Sequence, residues 1–86
     1  MKEVGFCLIT TSPGKEIKVR DLLSKIPEVV EIYPLFGEYD LIAKIQNKDF
    51  NSIGDVVVNK IRSNDGIIDT KTLIGTTSLQ GKNDGP

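Results

Sequence analysis

The chain has 86 residues, with 11 Lys and Arg against 12 Asp and Glu for a formal charge of −1; that length allows one domain, and the charge gives no basic footprint for nucleic acid. With no histidine and one cysteine, an ordinary zinc site, a Ser-His-Asp triad, a Cys-His pair and an internal disulfide are excluded. No apolar run reaches the length of a bilayer span and the start lacks a signal-peptide pattern, so a soluble cytoplasmic protein with no cofactor and no metal is expected.

The first predicted strand runs from about Glu3 to Thr10, with Val4, Phe6 and Leu8 on one face and Gly5, Cys7 and Ile9 on the other. Both faces are apolar, which suits a central strand covered on both sides. Cys7 within it reads as a small buried hydrophobe rather than a nucleophile. A helix follows, with Ser12 as the expected N-cap, Pro13 at the first helical position and Glu16 near the positive end of the dipole. Val19, Leu22, Leu23 and Ile26 keep the spacing of one buried stripe, and Pro27 ends it.

Val29 to Phe36 is the second predicted strand, and Pro34 places it at a sheet edge because proline has no N–H for a ladder. Gly37-Glu38 then reads as a two-residue type II′ hairpin turn, glycine supplying the positive φ. Beyond the turn, Tyr39, Leu41, Ala43 and Ile45 fall on one face and Asp40, Ile42 and Lys44 on the other. Asp40 is thereby set one step past a hairpin tip, where backbone N–H groups and a carboxylate converge on a small polar guest. This is the candidate site.

Asp49 or Asn47 is expected to cap the second helix, whose stripe is Phe50, Ile53, Val57 and Ile61. Gly54 is expected to allow close packing on the sheet, and Gly66 to take the left-handed position that ends the helix. The last strand extends from about Ile67 to Thr77, with a polar centre at Asp69-Thr70-Lys71-Thr72. That centre reads either as an edge strand guarded by charge or as threonine hydroxyls lining a polar pocket. Residues 80–86 have no apolar anchor and are expected to form a disordered tail after a domain of residues 1–79.

Strand, helix, strand, strand, helix, strand is the order of the ferredoxin-like α+β fold: a four-stranded antiparallel sheet with both helices on one face. The other face would then be left apolar and bare. A second copy packed sheet to sheet covers it, so a homodimer is expected.

Thr11-Ser12-Pro13-Gly14, Pro27-Glu28-Val29, Gly37-Glu38-Tyr39-Asp40-Leu41-Ile42-Ala43 and Gly66-Ile67-Ile68-Asp69-Thr70-Lys71-Thr72 occur in that order along the chain. Together they resemble the C-terminal effector-binding (RAM) domain of Lrp/AsnC transcription regulators over nearly the whole chain apart from the tail. The resemblance implies a dimeric α+β barrel, commonly assembled into octameric rings, that binds small effectors, typically amino acids, near the hairpin between dimers. Carried over by motif, the ligand-binding residues are Gly37, Tyr39 and Asp40, joined by Thr70 and Thr72 of the last strand. With the family's N-terminal DNA-binding domain absent from this sequence, it also implies a stand-alone unit that modulates full-length Lrp/AsnC relatives by mixed assembly.

In such a site Asp40 would pair with an effector ammonium, backbone N–H groups around Gly37 would take its carboxylate, and Tyr39 would wall the pocket. Three other readings fit the element order. An ACT domain would place an amino acid at the Ser12–Lys15 loop instead. A cofactor-light monooxygenase or isomerase of the dimeric-barrel kind would need a strongly shifted carboxylate or lysine. An oligomerisation module would leave the pocket empty.

Overall fold

Two central strands carry the architecture. β1 (Glu3–Thr11) pairs antiparallel on one side with β3 (Leu41–Asn47) and on the other with β4 (Ile67–Ile74). β2 (Val29–Pro34) pairs with the far side of β3, giving the sheet order β2-β3-β1-β4. Helices α1 (Glu16–Leu23) and α2 (Phe50–Val56) make the crossovers, and α2 continues as a π-helical turn, Val57–Ile61. The structure, a computed structural model, describes residues 2–75. Its element order is the predicted ferredoxin-like one, with Pro34 on an edge strand and β4 forming the opposite edge. The predicted extension of the last strand to Thr77 and the tail at 80–86 lie outside the described residues. Among the described residues no helix is long and apolar enough to cross a membrane.

Strand alternation sets the core. Across β1 and β3, Gly5 pairs with Ile45, Cys7 with Ala43 and Ile9 with Leu41, and all six residues are buried. Val19 and Leu23 of α1, with Ile53, Val56, Val57 and Ile61 of the second helical segment, cover this face and share one cluster with it. Each four-residue step from Ile53 to Val57 to Ile61 overshoots a 3.6-residue turn by about 40°. The wider π turn, closed by Arg62 N–H donating to Val57 O at 2.8 Å, takes that rotation back and keeps Ile61 over the sheet. Asp49 is the N-cap of α2, its Oδ1 accepting from Ser52 N–H at 2.7 Å.

Several local expectations are corrected. Ser12 is no helix cap: Lys15 N–H donates to Ser12 O at 2.9 Å and Gly14 has φ +83°. Ser12-Pro13-Gly14-Lys15 is thus a type II β-turn with proline and glycine in their favoured places, and α1 starts after it. In β2 a bulge at Val30 puts Val29 and Ile32 together on the core side, where strict alternation would have separated them.

The glycines change roles too. Gly66 has no positive φ; a Cβ there would lie 2.8 Å from Val19 Cγ2, so the residue serves close approach of α1. Close approach of α2 to the sheet is permitted by Gly5, whose Cβ would sit 2.9 Å from Ile53 Cγ2. Gly54 faces open space.

Among the described residues the second face of the sheet carries no helix. One row across it reads Glu31, Lys44, Phe6 and Leu73, and the next reads Tyr33, Ile42, Leu8 and Lys71. Phe6 is 37% exposed, Leu73 48% and Tyr33 55%. Tyr33 Oη donates to Glu31 Oε1 at 2.6 Å and Lys44 Nζ lies 3.6 Å from Glu31 Oε2. The Tyr33 hydroxyl, with Lys44 beside it, holds the Glu31 carboxyl below its usual range.

Because Gly54 has room for a methyl group and Gly5 has none, alanine at the two sites acts oppositely. Urea denaturation is expected to show Gly54→Ala stabilising by about 0.5–1 kcal/mol. Gly5→Ala is expected to destabilise by about 1–3 kcal/mol, through overpacking against Ile53.

Candidate functional site

The segment Leu35–Asp40 joins β2 to β3, and it is longer than the two-residue turn expected from Gly37-Glu38. β2 ends at Pro34 and β3 starts at Leu41, with Leu35 N–H donating to Asp40 O at 2.9 Å across the base of the loop. Gly37 has φ +131° with open space where a Cβ would stand, so glycine is there for its backbone angle. Next to it Phe36 is fully exposed (109%), while Tyr39 and Asp40 are half-buried.

Asp40 is clamped at the loop's exit. Its N–H donates to Ile9 O at 2.8 Å, continuing the β1–β3 ladder one step past Leu41. Its side chain then does what the backbone of a longer strand would do. Oδ2 accepts from Thr11 N–H at 2.8 Å and lies 3.3 Å from Thr11 Oγ1. Thr11 is 4% exposed and sits where the β1–β4 register shifts, so an unsatisfied N–H there would be costly. One oxygen, Oδ2, is held by Thr11, and the other, Oδ1, has no hydrogen-bond partner among the described residues.

Thr70 and Thr72 stand elsewhere. They pair with Ile9 and Cys7 and are half-buried on the core side of β4. Thr70 and Asp40 flank Ile9 from opposite sides, two strand spacings or about 10 Å apart. Within one chain, then, Gly37, Tyr39 and Asp40 share a loop, and the threonine pair lies across β1 from them. Two surface clefts are formed by other residues: a groove of about 330 Å³ between α1 and β2, bordered by Arg20 and Val30, and one of about 230 Å³ beside α2, bordered by Asp55 and Asn59.

Cys7 is fully buried, and burial pushes its thiol up to about 11, against the smaller opposing effects of the Thr72 hydroxyl and the Arg62 charge. It is a protonated core residue at neutral pH. Thr11 is the residue that sequence reading missed; its contact with Asp40 spans 29 positions and leaves no local signature.

The sequence profile of the Lrp/AsnC ligand binding domain matches residues 4–79. The HTH-type transcriptional regulator FL11 of Pyrococcus furiosus is 34% identical over 71 residues, covering 83% of this chain and 46% of FL11. The chain spans about half the length of the curated relatives it matches. The crystal structure of hypothetical protein PHS023 from Pyrococcus horikoshii is 34% identical with a TM-score of 0.80, over 98% of each chain. At 20% identity, the transcriptional regulator NMB0573 of Neisseria meningitidis, solved as an L-Met complex, shares the fold with a TM-score of 0.74, over 92% of this chain and 53% of its own. The curated relatives are named as transcriptional regulators, not as enzymes.

Asp40→Ala removes the acceptor of a buried N–H and is expected to destabilise the fold by about 1–3 kcal/mol. Asp40→Asn keeps an oxygen for Thr11 and is expected to recover most of that loss. Thermal or urea unfolding of the two variants checks both values.

Proposed function

This chain belongs to the Lrp/AsnC ligand-binding domain family, and we propose that it binds an amino acid or a related metabolite at an interface between its own copies. The family and its curated relatives make it a regulatory effector-binding domain. The amino-acid class is the further step, and the fixed Asp40 carboxylate carries it. Thr11 orients that group through Oδ2, so Oδ1 needs no reordering to take an ammonium by a charge-assisted hydrogen bond. The exposed backbone around Gly37 offers N–H groups to the effector's own carboxylate. Thr70 and Thr72 lie too far from Asp40 within one protomer, so on this reading they act from a neighbouring copy. The Neisseria regulator of the same fold was solved with L-Met, which fits the class of ligand.

The bare apolar sheet face supports the required assembly as a homodimer, with dimers joining further near the Gly37 loop. A cytoplasmic location follows from the role. The half-length overlap with an HTH-type regulator at 34% identity favours a second role, in which the same sheet face pairs with the matching domain of such a regulator and modulates it.

Calorimetry with the twenty amino acids is expected to give saturable heat for one or a few, and Asp40→Asn to weaken that binding roughly tenfold or more while leaving the fold intact. Heat from none of them, or equal heat from Asp40→Asn, refutes the sensing role. Co-expression with a full-length relative is expected to yield mixed oligomers; separate homo-oligomers alone would dismiss the second role.

A further inference from the structure

The groove of about 330 Å³ between α1 and β2 lies at the start of β2, whereas the Gly37 loop follows the end of that strand. It is set on the helical side of the sheet, away from the bare face. The bulge at Val30 shapes it. Strict alternation would turn Val29 and Ile32 to opposite sides, but the extra residue lets Val29, Val30 and Ile32 all border the groove. Val29 and Ile32 are packed on the core cluster and make a firm floor. Val30, 45% exposed, forms an apolar rim open to water.

α1 supplies the opposite wall. Arg20 and Ser24 stand four residues apart, on one side of the helix. Ser24 Oγ donates to Asp21 O at 2.7 Å, so that hydroxyl is turned back on its own helix. The Arg20 side chain has one polar contact among the described residues, Nη2 to Asp21 Oδ1 at 3.4 Å, and both side chains are more than half exposed. A pair so long and so wet holds the guanidinium weakly, and most of its five N–H donors remain for another acceptor. Asp21 itself does not border the groove. Glu31 does, but its carboxylate belongs to the opposite face, with Tyr33 Oη at 2.6 Å and Lys44 Nζ at 3.6 Å. An apolar floor therefore lies beneath one loosely held cation.

That combination selects its guest. A carboxylate matches the forked donors of a guanidinium, and a hydrocarbon tail laid on Val29, Val30 and Ile32 leaves water. An ammonium on the same molecule would lose hydration against apolar side chains and gain no partner, so a zwitterion is disfavoured. A long chain is disfavoured by size, because the volume stands near the lower end of the roughly 300–1,000 Å³ of small-molecule sites.

We infer that the groove between α1 and β2 is a second ligand site, taking a short aliphatic monocarboxylate that Arg20 holds by its charge. An apolar amino acid stripped of its amino group belongs to that class. The site stands on its own residues and does not depend on the reading of Asp40.

Titration of the full chain with isocaproate, followed through its amide NMR signals, tests this. The signals of Ser24, Val29 and Val30 are expected to shift saturably, with a dissociation constant on the order of 1 mM for so small a ligand. Isocaproamide, which keeps the shape without the charge, and leucine, which adds the ammonium, are each expected to bind there roughly tenfold more weakly or worse. Arg20→Gln is expected to weaken isocaproate binding roughly tenfold, with Arg20→Lys recovering part of the loss. Val30→Asp, which sets a like charge on the rim, is expected to weaken it as well. Absence of shifts at these residues, equal binding of the amide, or an Arg20→Gln chain that binds like wild type overturns the inference. Shifts confined to Gly37–Asp40 would move the carboxylate to the loop and overturn the groove, while the amino-acid reading stays intact. Saturable groove shifts in a chain that binds no amino acid at Asp40 support the groove by itself.

Discussion

Two helices cover one face of a four-stranded layer, and the composition of the other face governs what the molecule can be. β1 sends Cys7 and Ile9 into the helical core and Phe6 and Leu8 to the opposite side. A small domain has few apolar side chains to spare, and a chain of this size buries only roughly 60–65% of the surface its unfolded form exposes. Large apolar residues on a sheet face without a helix are the feature that supports the proposed association. On the β2 edge, proline and the bulge at Val30 discourage strand addition.

The candidate site is tied to that framework through Asp40. Its backbone extends the β1–β3 ladder, and its side chain replaces the next carbonyl by accepting from Thr11. The same residue thus ends a strand, closes a loop and presents a carboxylate in a fixed direction. In the proposed site, removing Asp40 outright would therefore disturb fold and ligand chemistry together, whereas asparagine would separate them.

Much of this was legible in the sequence, and the failures share a cause. Period-two alternation in β1 and β3, the stripe Val19–Leu23 and the edge position of Pro34 depend on neighbours within a few residues and agree with the structure, which also settles the cap of α2, open between Asp49 and Asn47, on Asp49. The loop at Gly37, the role of Ser12 and the meaning of each glycine depend on elements distant in sequence. Gly37-Glu38 satisfies the local rule for a tight hairpin, but the Asp40–Thr11 and Asp40–Ile9 bonds draw the chain into a six-residue path. Gly5, placed by alternation on one face of the first strand, is where α2 comes close to the sheet, whereas Gly54, the expected contact, faces open space. Glycine announces that something special happens at its position, and only the packed neighbour tells what. Thr70 and Thr72 were placed on the correct strand, yet the sheet order sets β1 between them and Asp40, which motif spacing alone did not convey.

The guarded strand ends have a consequence for the crowded cell. Pro34 removes a ladder donor from β2 and the bulge at Val30 bends it. On the proposed pairing, copies that met through the flat side would cover its apolar residues while that edge refused further strands, which would favour finite particles over threads.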